Sequence, residues 1–423
     1  MSQPGPSPLA AGEKNLSVAA AQAAIAAAIR PITDTDTIPL LQALGRVLST
    51  DVISPIDVPA HDNSAMDGYA LRGSELRSDA DTVLRVAATV YAGDVYAGTL
   101  QPGECARIMT GAVMPAGLDS VVPQELCRVE ADGVHIAPGT LKPGENRRFK
   151  GEDLALGKPA LTAGRRLQPA DLGLIASLGI AEVQVYRRLR VALFSTGNEL
   201  RTLGEPLEPG CIYDSNRYSL MGALARLGVE VIDLGLVRDD PAALEATLQQ
   251  AVAQADVVLT SGGVSVGDAD YTRDILARMG QVDFWKVAMR PGRPFAFGPL
   301  QRSADQSAWL FALPGNPVAA LVTFYAFARS ALLALAGARS EPLPTLQAHC
   351  TSAIRKRPGR TEFQRGIVSR GADGQWQVRL TGSQGAGILR SMSEANALVV
   401  LGHEQGSVAA GDPVEVWLFD GLV

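Results

Sequence analysis

The sequence contains little cysteine, little histidine and no excess of positive charge. Its 423 residues include four cysteines and four histidines, and none of these is spaced as a zinc or C-x-x-C redox motif requires. Few and scattered cysteines are typical of a reduced compartment, so we expect a cytoplasmic protein. The net charge of -6 argues against a nucleic-acid backbone as the main partner, because such binding needs an excess of Lys and Arg.

Long apolar runs are also scarce. The segment most similar to a membrane span, residues 318–338, is divided by Arg329 and is rich in Ala, Phe and Tyr, which predicts a buried helix of a globular core. Hydrophobic residues make up 47% of the chain and charged residues 19%, so most of it can fold around real cores and extended disorder is excluded. We expect neither a membrane nor a nucleic acid among its partners.

The patterning predicts several folding units, since the length exceeds the roughly 150 residues of one domain. Short apolar runs separated by Gly and Pro indicate β modules, whereas strands and helices alternate from residue 190 onward, which predicts a doubly wound α/β sheet. The expected fold class is α/β plus β, multidomain. Its units are a mobile tail (1–14), a helical connector (15–50 and 148–179), an inserted β domain (51–147), an α/β domain (180–340) and a C-terminal β domain (341–423), a barrel or a sandwich.

Two connector helices are expected to pack beside each other. The first is Ala-rich and starts at the capping residue Ser17, and the second starts at Pro169, a residue suited to a first helical turn. Their packing would leave the β domain as an insertion into the connector.

Acidic residues follow three strands of the expected α/β sheet. Glu199 and Asp239 each follow a strand, and Asp270 follows a glycine-rich turn after a third. Ligands of such sheets bind beyond the carboxyl ends of the strands, where these loops converge. Clustered carboxylates repel one another unless a cation compensates them, and such oxygen ligands suit Mg2+. The adjacent Asp240 is explained as a helix N-cap.

Two tight turns at the same sheet edge are suited to an anion. In the first, Gly262, Gly263 and Ser265 expose backbone amides before a helix, whose amino end carries partial positive charge. Its pattern is not G-x-x-x-x-G-K-[ST], so a P-loop is excluded. Pro314 and Pro317 belong to the second turn, where a helix start explains Pro317 and the rigid turn can also present amides.

Basic residues cluster around the next strand. Lys286 lies within an apolar run, where a charge needs a partner, and Arg290 and Arg293 follow around a Pro-Gly turn. The nearby carboxylates or a bound oxyanion would serve as that partner. In the β domain, Asp62 lies in a dense run of turn-forming polar residues and is open to a ligand role.

Eight motifs give the chain a family resemblance that extends from residue 15 to the C-terminus. In order, they are DNSAMDGYA, MTGAVMP, RFKGEDL, STGNEL, IYDSN, TSGGVSVGDADY, MRPGRPFAFG and LPGNP. On these motifs the chain resembles the molybdopterin molybdenumtransferases. The resemblance implies a molybdopterin-binding α/β domain and an enzyme that inserts molybdate into adenylylated molybdopterin with Mg2+, releasing AMP and the molybdenum cofactor.

The resemblance also implies a homodimer of elongated four-domain subunits. The sheet edge of one subunit would face the inserted β domain of the other, so the active site would be shared. A molybdopterin adenylyltransferase and apo-molybdoenzymes are further implied partners. Carried over motif by motif, the functional positions are Asp62, Thr110, Asp153, Glu199, Asp239, Asp270, Lys286, Pro314 and Pro317.

Roles follow for these positions as implications of the resemblance. Mg2+ would be held by Glu199, Asp239 and Asp270, and phosphate would be cradled by Gly262, Gly263 and Ser265. Molybdate would be attracted by Lys286, Arg290 and Arg293. The pocket would be completed from other domains by Asp62 and Asp153. Three positions depart from the common pattern, because Arg290 replaces a frequent Lys and Ala319 and Ala386 replace frequent Ser. These departures leave the choice between molybdate and tungstate open.

Two alternative functions remain at this stage. Adenylylation of molybdopterin uses a similar α/β domain, commonly without the two β modules. A non-catalytic dimeric scaffold of the same fold would bind a partner segment through its dimer surfaces, although the clustered carboxylates argue against a purely structural role.

Overall fold

A computed structural model describes residues 16–262, 270–303, 306–340 and 343–422. For Asp270, Gly421 and Leu422 the description covers the backbone only. The expected tail at 1–14 and two predicted phosphate-binding residues, Gly263 and Ser265, lie outside these ranges.

The described chain from residue 16 to Tyr186 is built from short strands, two α-helices and three 3-10 turns. The helices are α1 (Val18–Ala28) and α2 (Pro169–Ser177). The strands are β1 (Thr35–Pro39), β2 (Val52–Ile53), β3 (Asn63–Ser64), β4 (Gly68–Leu71), β5 (Thr82–Val90), β6 (Glu104–Ile108), β7 (Ser120–Pro123), β8 (Arg128–Glu130), β9 (Gly133–Ile136), β10 (Arg147–Arg148), β11 (Pro159–Leu161) and β12 (Glu182–Tyr186). A six-stranded sheet in the order β7-β4-β6-β5-β9-β8 forms the inserted β domain, while β1 pairs with β12 and β2 with β11.

Helix α1 packs on the α/β domain, not on α2. The Ser17 hydroxyl caps it by accepting a hydrogen bond from the Ala20 amide at 3.1 Å. Its buried residues, such as Ile25, join a core that includes the helix after Pro317, whereas α2 contributes Ile175 to a separate core. The expectation that the two helices pack together is therefore wrong, because the small, Ala-rich face of α1 fits against the apolar helix of another domain.

The α/β domain contains five helices and nine strands within its described residues. The helices are α3 (Ser215–Leu227), α4 (Pro241–Gln254), α5 (Asp270–Met279), α6 (Pro317–Thr323) and α7 (Arg329–Leu335). The strands are β13 (Arg190–Thr196), β14 (Leu200–Arg201), β15 (Ile212–Tyr213), β16 (Glu230–Val237), β17 (Val257–Ser261), β18 (Asp283–Lys286), β19 (Met289–Arg290), β20 (Pro294–Gln301) and β21 (Ser307–Leu313).

Six of these strands form the central sheet in the order β16-β13-β17-β21-β20-β18. The first four are parallel, and successive residues of β13 alternate between two cores, with Leu193 in one and Phe194 in the other. This confirms the expected α/β sheet with cores on both faces. The last two pairings, of β21 with β20 and of β20 with β18, are antiparallel, because no helix separates these strands along the chain and short connections can join only antiparallel neighbours.

One helix of the described residues, Pro317–Leu335, is long and apolar enough to cross a membrane by length and composition alone. It comprises α6, a π turn at Phe324–Ala328 and α7. Of the 18-residue stretch of this helix that is apolar enough to span, 72% is buried inside the protein. Such burial is typical of a core helix, which is what the sequence predicts for a segment divided by Arg329.

The C-terminal part forms a closed barrel. Its elements are β22 (Thr345–Cys350), β23 (Thr361–Arg370), β24 (Trp376–Leu380), α8 (Leu389–Glu394), β25 (Ala397–Leu401), β26 (Pro413–Leu418) and α9 (Phe419–Leu422). The order β23-β24-β22-β26-β25 closes through pairing of β25 with β23, which decides for a barrel over a sandwich. Strand β19 of the α/β domain joins this barrel in parallel with β23, so that Arg290 pairs with Glu362.

Candidate active site

A cavity of about 810 Å³ opens at the carboxyl edge of the parallel strands. Its walls are the loops after β13, β16, β17 and β21, the turn between β19 and β20, and two segments of the barrel. The predicted site residues that line it are Glu199, Asp239, Gly262, Arg290, Arg293 and Pro314. The position matches the rule that ligands of open α/β sheets bind beyond the strand carboxyl ends.

Glu199 and Asp239 come together because the loops that carry them are hydrogen-bonded. The Asn198 amide donates to Asp239 Oδ2 at 3.2 Å, and the Asp239 amide donates to Asn198 Oδ1 at 3.2 Å. Gly197 has a φ of +153°, and a Cβ there would approach the Glu199 carboxylate to 2.7 Å. This glycine therefore leaves room for the carboxylate beside the loop.

The structure describes two further acids of the sequence analysis, Asp240 and Asp270, to different extents. Asp240 accepts a hydrogen bond from the Ala243 amide at 2.8 Å and caps α4, as its position before Pro241 indicates. Asp270 begins α5, but its side chain lies outside the described residues. Its place in the acidic cluster therefore stays a prediction.

Thr196 carries a buried hydroxyl at the wall of the cavity. The residue is 9% exposed, and its Oγ1 has no hydrogen-bond partner among the described residues. Gly262, at φ +94°, lies directly against it, since a Cβ at that position would meet the Thr196 carbonyl oxygen at 2.5 Å and Oγ1 at 2.8 Å. Only glycine allows this contact between the two strand ends.

The unpartnered hydroxyl gives a prediction about stability. Thr196→Val keeps the side-chain shape and removes a buried polar atom that has no partner, so the free energy of unfolding should rise by about 1 kcal/mol. Thr196→Ser is the control, because it keeps the hydroxyl and loses a methyl group, and it should lower stability instead. Thermal unfolding of the ligand-free protein measures both, and a destabilised Thr196→Val would show that the hydroxyl has a partner in solution.

Asn216 connects the turn at Gly262 with the turn that begins at Pro314 through hydrogen bonds. This residue is 9% exposed and donates from Nδ2 to Ser261 Oγ and to the Gly315 carbonyl oxygen, each at 2.7 Å. It thus links the start of α3 to the ends of β17 and β21. The signal for it lay in the IYDSN motif, but nothing in that motif shows which loops the amide joins.

The predicted cations separate into two groups. Arg290 and Arg293 line the cavity from the turn between β19 and β20. Lys286 does not line the cavity; it ends β18, where its carbonyl oxygen accepts a hydrogen bond from the Leu16 amide at 3.1 Å. Pro317, the predicted residue of the second tight turn, begins α6 and does not line the cavity either. Their functional roles stay predictions.

The barrel contributes residues that the sequence reasoning did not assign. Arg360 and Gln384 of the barrel line the cavity. Arg360 donates from Nε to Glu362 Oε1 at 2.8 Å, and Glu362, only 3% exposed, also accepts from Gln364 Nε2 at 3.0 Å. A buried carboxylate thereby fixes the guanidinium of Arg360 at the wall.

Arg365 lies fully buried behind this wall. Its guanidinium donates to Ser391 Oγ at 2.9 Å and to the Gly385 carbonyl oxygen at 3.0 Å, which supports the loop that carries Gln384. Burial, and to a lesser extent the charge of Arg290, lowers the pKa of Arg365 to about 10. The sequence signal that could have identified Arg365 is a charged residue inside the strand TEFQRG, as Lys286 was singled out for a charge within an apolar run.

The predicted residues of the inserted domain form a second cluster. Asp62 pairs with Arg147 and accepts the Lys150 amide at 2.7 Å; the Lys150 hydrogen bond, followed by Arg147, holds the pKa of Asp62 below its ordinary value. The Thr110 hydroxyl donates to Asp67 at 2.6 Å, which lowers the pKa of Asp67.

Three motifs meet at this second cluster. The Ser64 amide donates to the Ala112 carbonyl oxygen at 3.0 Å, and β3 pairs with β10, so DNSAMDGYA, MTGAVMP and RFKGEDL converge. Asp153 is exposed in the third of these. Within the described part of this chain, Asp62, Thr110 and Asp153 do not line the cavity of the α/β domain.

Three family models match the chain in order. They are the MoeA N-terminal region (domain I and II) at residues 16–179, a probable molybdopterin binding domain at 192–334 and the MoeA C-terminal region (domain IV) at 347–419. The cavity lies between the second and third of these segments.

Curated relatives and a solved structure match over nearly the whole length. A molybdopterin molybdenumtransferase of Haemophilus influenzae is 43% identical over 92% of this chain and 95% of its own, and one of Nostoc sp. is 40% identical over 90% and 88%. The crystal structure of a molybdopterin biosynthesis moeA protein from Pyrococcus horikoshii OT3 is 28% identical, with a TM-score of 0.80 over 96% of this chain and 100% of that one.

Proposed function

Because the chain belongs to the molybdopterin molybdenumtransferase family and is thus a transferase, we propose that it inserts molybdenum from molybdate into adenylylated molybdopterin and releases AMP. One observation supports this most. The lining of the cavity combines carboxylates at the strand ends, Glu199 and Asp239, with the arginines Arg290, Arg293 and Arg360. Carboxylates suit a divalent cation, and the guanidiniums suit the doubly negative molybdate.

The donors at the strand ends fit Mg2+. Glu199 and Asp239 offer hard carboxylate oxygens in an open, polar cavity, where a small cation can keep several of its waters. With Asp270 as a predicted third ligand, these residues would hold the ion. When bound, it would neutralise negative charge that develops on the departing phosphate.

The protein's own residues would bind and position the two substrates. Arg290, Arg293 and Arg360 would attract the oxyanion, and the charge of buried Arg365 would add to the same field from behind the wall. Gly262 and the turn that begins with Pro314 would let the phosphates approach backbone amides closely. Holding both substrates in one cavity would supply the proximity contribution to the rate.

The inserted domain would complete the site from a partner subunit. Its cluster around Asp62, Thr110 and Asp153 is separate from the cavity of the same chain, as a homodimer with shared sites requires. A cytoplasmic location belongs to the proposal and rests on four unpaired cysteines. A molybdopterin adenylyltransferase and apo-molybdoenzymes would be its partners before and after the reaction.

Product analysis tests the proposal against both alternatives. The purified protein is incubated with adenylylated molybdopterin, Mg2+ and molybdate, and separately with molybdopterin, ATP and Mg2+. Molybdate-dependent release of AMP in the first mixture is the expected result. Release of pyrophosphate in the second would favour adenylylation, and no turnover in either would favour the scaffold. Repeating the first mixture with tungstate determines the choice of oxyanion.

Ala386 gives a prediction about oxyanion affinity. It lines the cavity on the loop next to Arg365, and its carbonyl oxygen accepts the Val318 amide at 3.0 Å, so the backbone there is fixed. Ala386→Ser adds a hydroxyl donor and should lower the KM for molybdate about threefold with little change in kcat. Ala386→Val adds bulk without a donor and should raise the KM. Steady-state AMP release measures both, and a lower kcat without a lower KM for Ala386→Ser would contradict the placement.

A further inference from the structure

A second groove adjoins the proposed reaction cavity on the barrel side and has a volume of about 770 Å³. Five basic side chains line it, from Arg290, Arg355, Lys356, Arg357 and Arg360, against one acidic side chain. This is a strong local excess of positive charge in a chain whose net charge is -6. Like charges at such density repel one another unless an anion compensates them.

The acidic side chain of the groove already has hydrogen-bond partners within the protein. Glu362 is 3% exposed and bonded to Arg360 and to Gln364. Arg355 and Arg357 are exposed, and their guanidiniums have no hydrogen bond or ion pair within the described residues. Two guanidiniums therefore remain available to an external ligand.

The loop that carries these arginines is held rigidly. Lys356 is 6% exposed, and its ammonium group donates to the carbonyl oxygens of Gln405 at 2.6 Å and His403 at 3.4 Å. Its amide donates to Ser407 Oγ at 3.2 Å, and the Gly359 amide donates to the His403 carbonyl oxygen at 2.9 Å. A buried lysine thus anchors the loop, so little backbone conformational entropy is lost when the flanking arginines bind.

The size of the groove favours an extended ligand. A tetrahedral oxyanion displaces only a few waters, each of about 30 Å³, and would leave most of the groove empty. Carboxylates match the planar guanidinium in paired hydrogen bonds. We propose that this groove binds an acidic segment of a partner protein. Since Arg290 and Arg360 also line the reaction cavity, the segment would dock beside its mouth.

A binding measurement without substrates tests this proposal independently of the catalytic one. The probe is a fluorescein-labelled hexaglutamate peptide, followed by fluorescence anisotropy with the full-length protein at low ionic strength. Arg355→Gln combined with Arg357→Gln should raise the Kd about tenfold through the loss of two ion pairs. Arg379→Gln combined with Arg390→Gln is the matched control, because both arginines are exposed near the barrel outside the groove, and it should leave the Kd within about twofold.

Three outcomes would overturn the proposal. An unchanged Kd for the groove variant would show that its arginines do not bind the peptide. An equal loss in the control variant would show general attraction between charges only. Displacement of the peptide by inorganic phosphate at a comparable concentration would assign the groove to small oxyanions.

Discussion

Replacing Asp239 with Asn should lower molybdate-dependent AMP release by about 10²- to 10³-fold while the protein stays folded. The carboxylate lies at the carboxyl end of β16, lines the cavity and is joined to the Glu199 loop through Asn198. Asn has the same shape but lacks the negative charge that a divalent cation needs. Single-turnover AMP release at saturating molybdate measures the effect.

The next residue supplies the matched control. Asp240→Asn changes an identical group one position along, but that side chain caps α4 and does not line the cavity. Asn is also a good N-cap, so stability and turnover should both change little. Added Mg2+ should raise the melting temperature of the Asp240 variant and not that of the Asp239 variant. Normal turnover in Asp239→Asn would remove this carboxylate from the mechanism.

A mixed dimer should regain activity that neither parent shows. In the proposed shared site, Asp153→Ala should impair the part contributed by the inserted domain and Asp239→Asn the part contributed by the cavity. Asp153 is exposed, so its loss should not disturb folding. In a heterodimer of the two variants, one shared site keeps both residues, and about half of the wild-type rate per dimer is expected. Two different affinity tags allow the heterodimer to be purified, and AMP release is then measured.

The reverse pairing distinguishes a shared site from a site within one chain. A heterodimer of wild-type chain with the double variant has one defect in each shared site and should be inactive. If each chain formed its site alone, this dimer would keep about half of the rate and the first one would have none. The two heterodimers contain the same substitutions in the same number, so differences in folding cannot explain opposite results.

The part of the site at the strand ends could be predicted from the sequence, because parallel strands bring their carboxyl ends to one edge. Glu199, Asp239 and Gly262, predicted in this way, line the cavity, while their functional roles stay predictions. Arg360 and Gln384 could not be, since they reach the cavity only through the docking of the barrel. The barrel docks through the pairing of β19 with β23, through the hydrogen bond from the Val318 amide to Ala386, and through a shared hydrophobic core that includes Phe363 and Trp417, all of which are contacts between distant segments.

The fold shows the same division between local and distant interactions. Strand and helix alternation predicted the α/β domain, since each βαβ unit is specified by neighbouring residues. The sequence PLLQALGRVL around Leu41 has an apolar pattern typical of a short helix, yet the chain forms only a 3-10 turn at Leu40–Gln42 and leaves Leu41 94% exposed. Pairing of β1 with β12, nearly 150 residues away, constrains this segment, and no local signal reports it.

The packing of α1 has a consequence for the order in which the protein can mature. Gln22 Nε2 donates to the Ala326 carbonyl oxygen at 2.9 Å, and the buried side of α1 belongs to the core around the helix Pro317–Leu335. During synthesis this segment leaves the ribosome first, but its docking surface is completed only about three hundred residues later, which takes tens of seconds at common elongation rates. Until then the apolar residues of α1, such as Ile25, lack the core in which they become buried, and chaperones would be needed most during that interval.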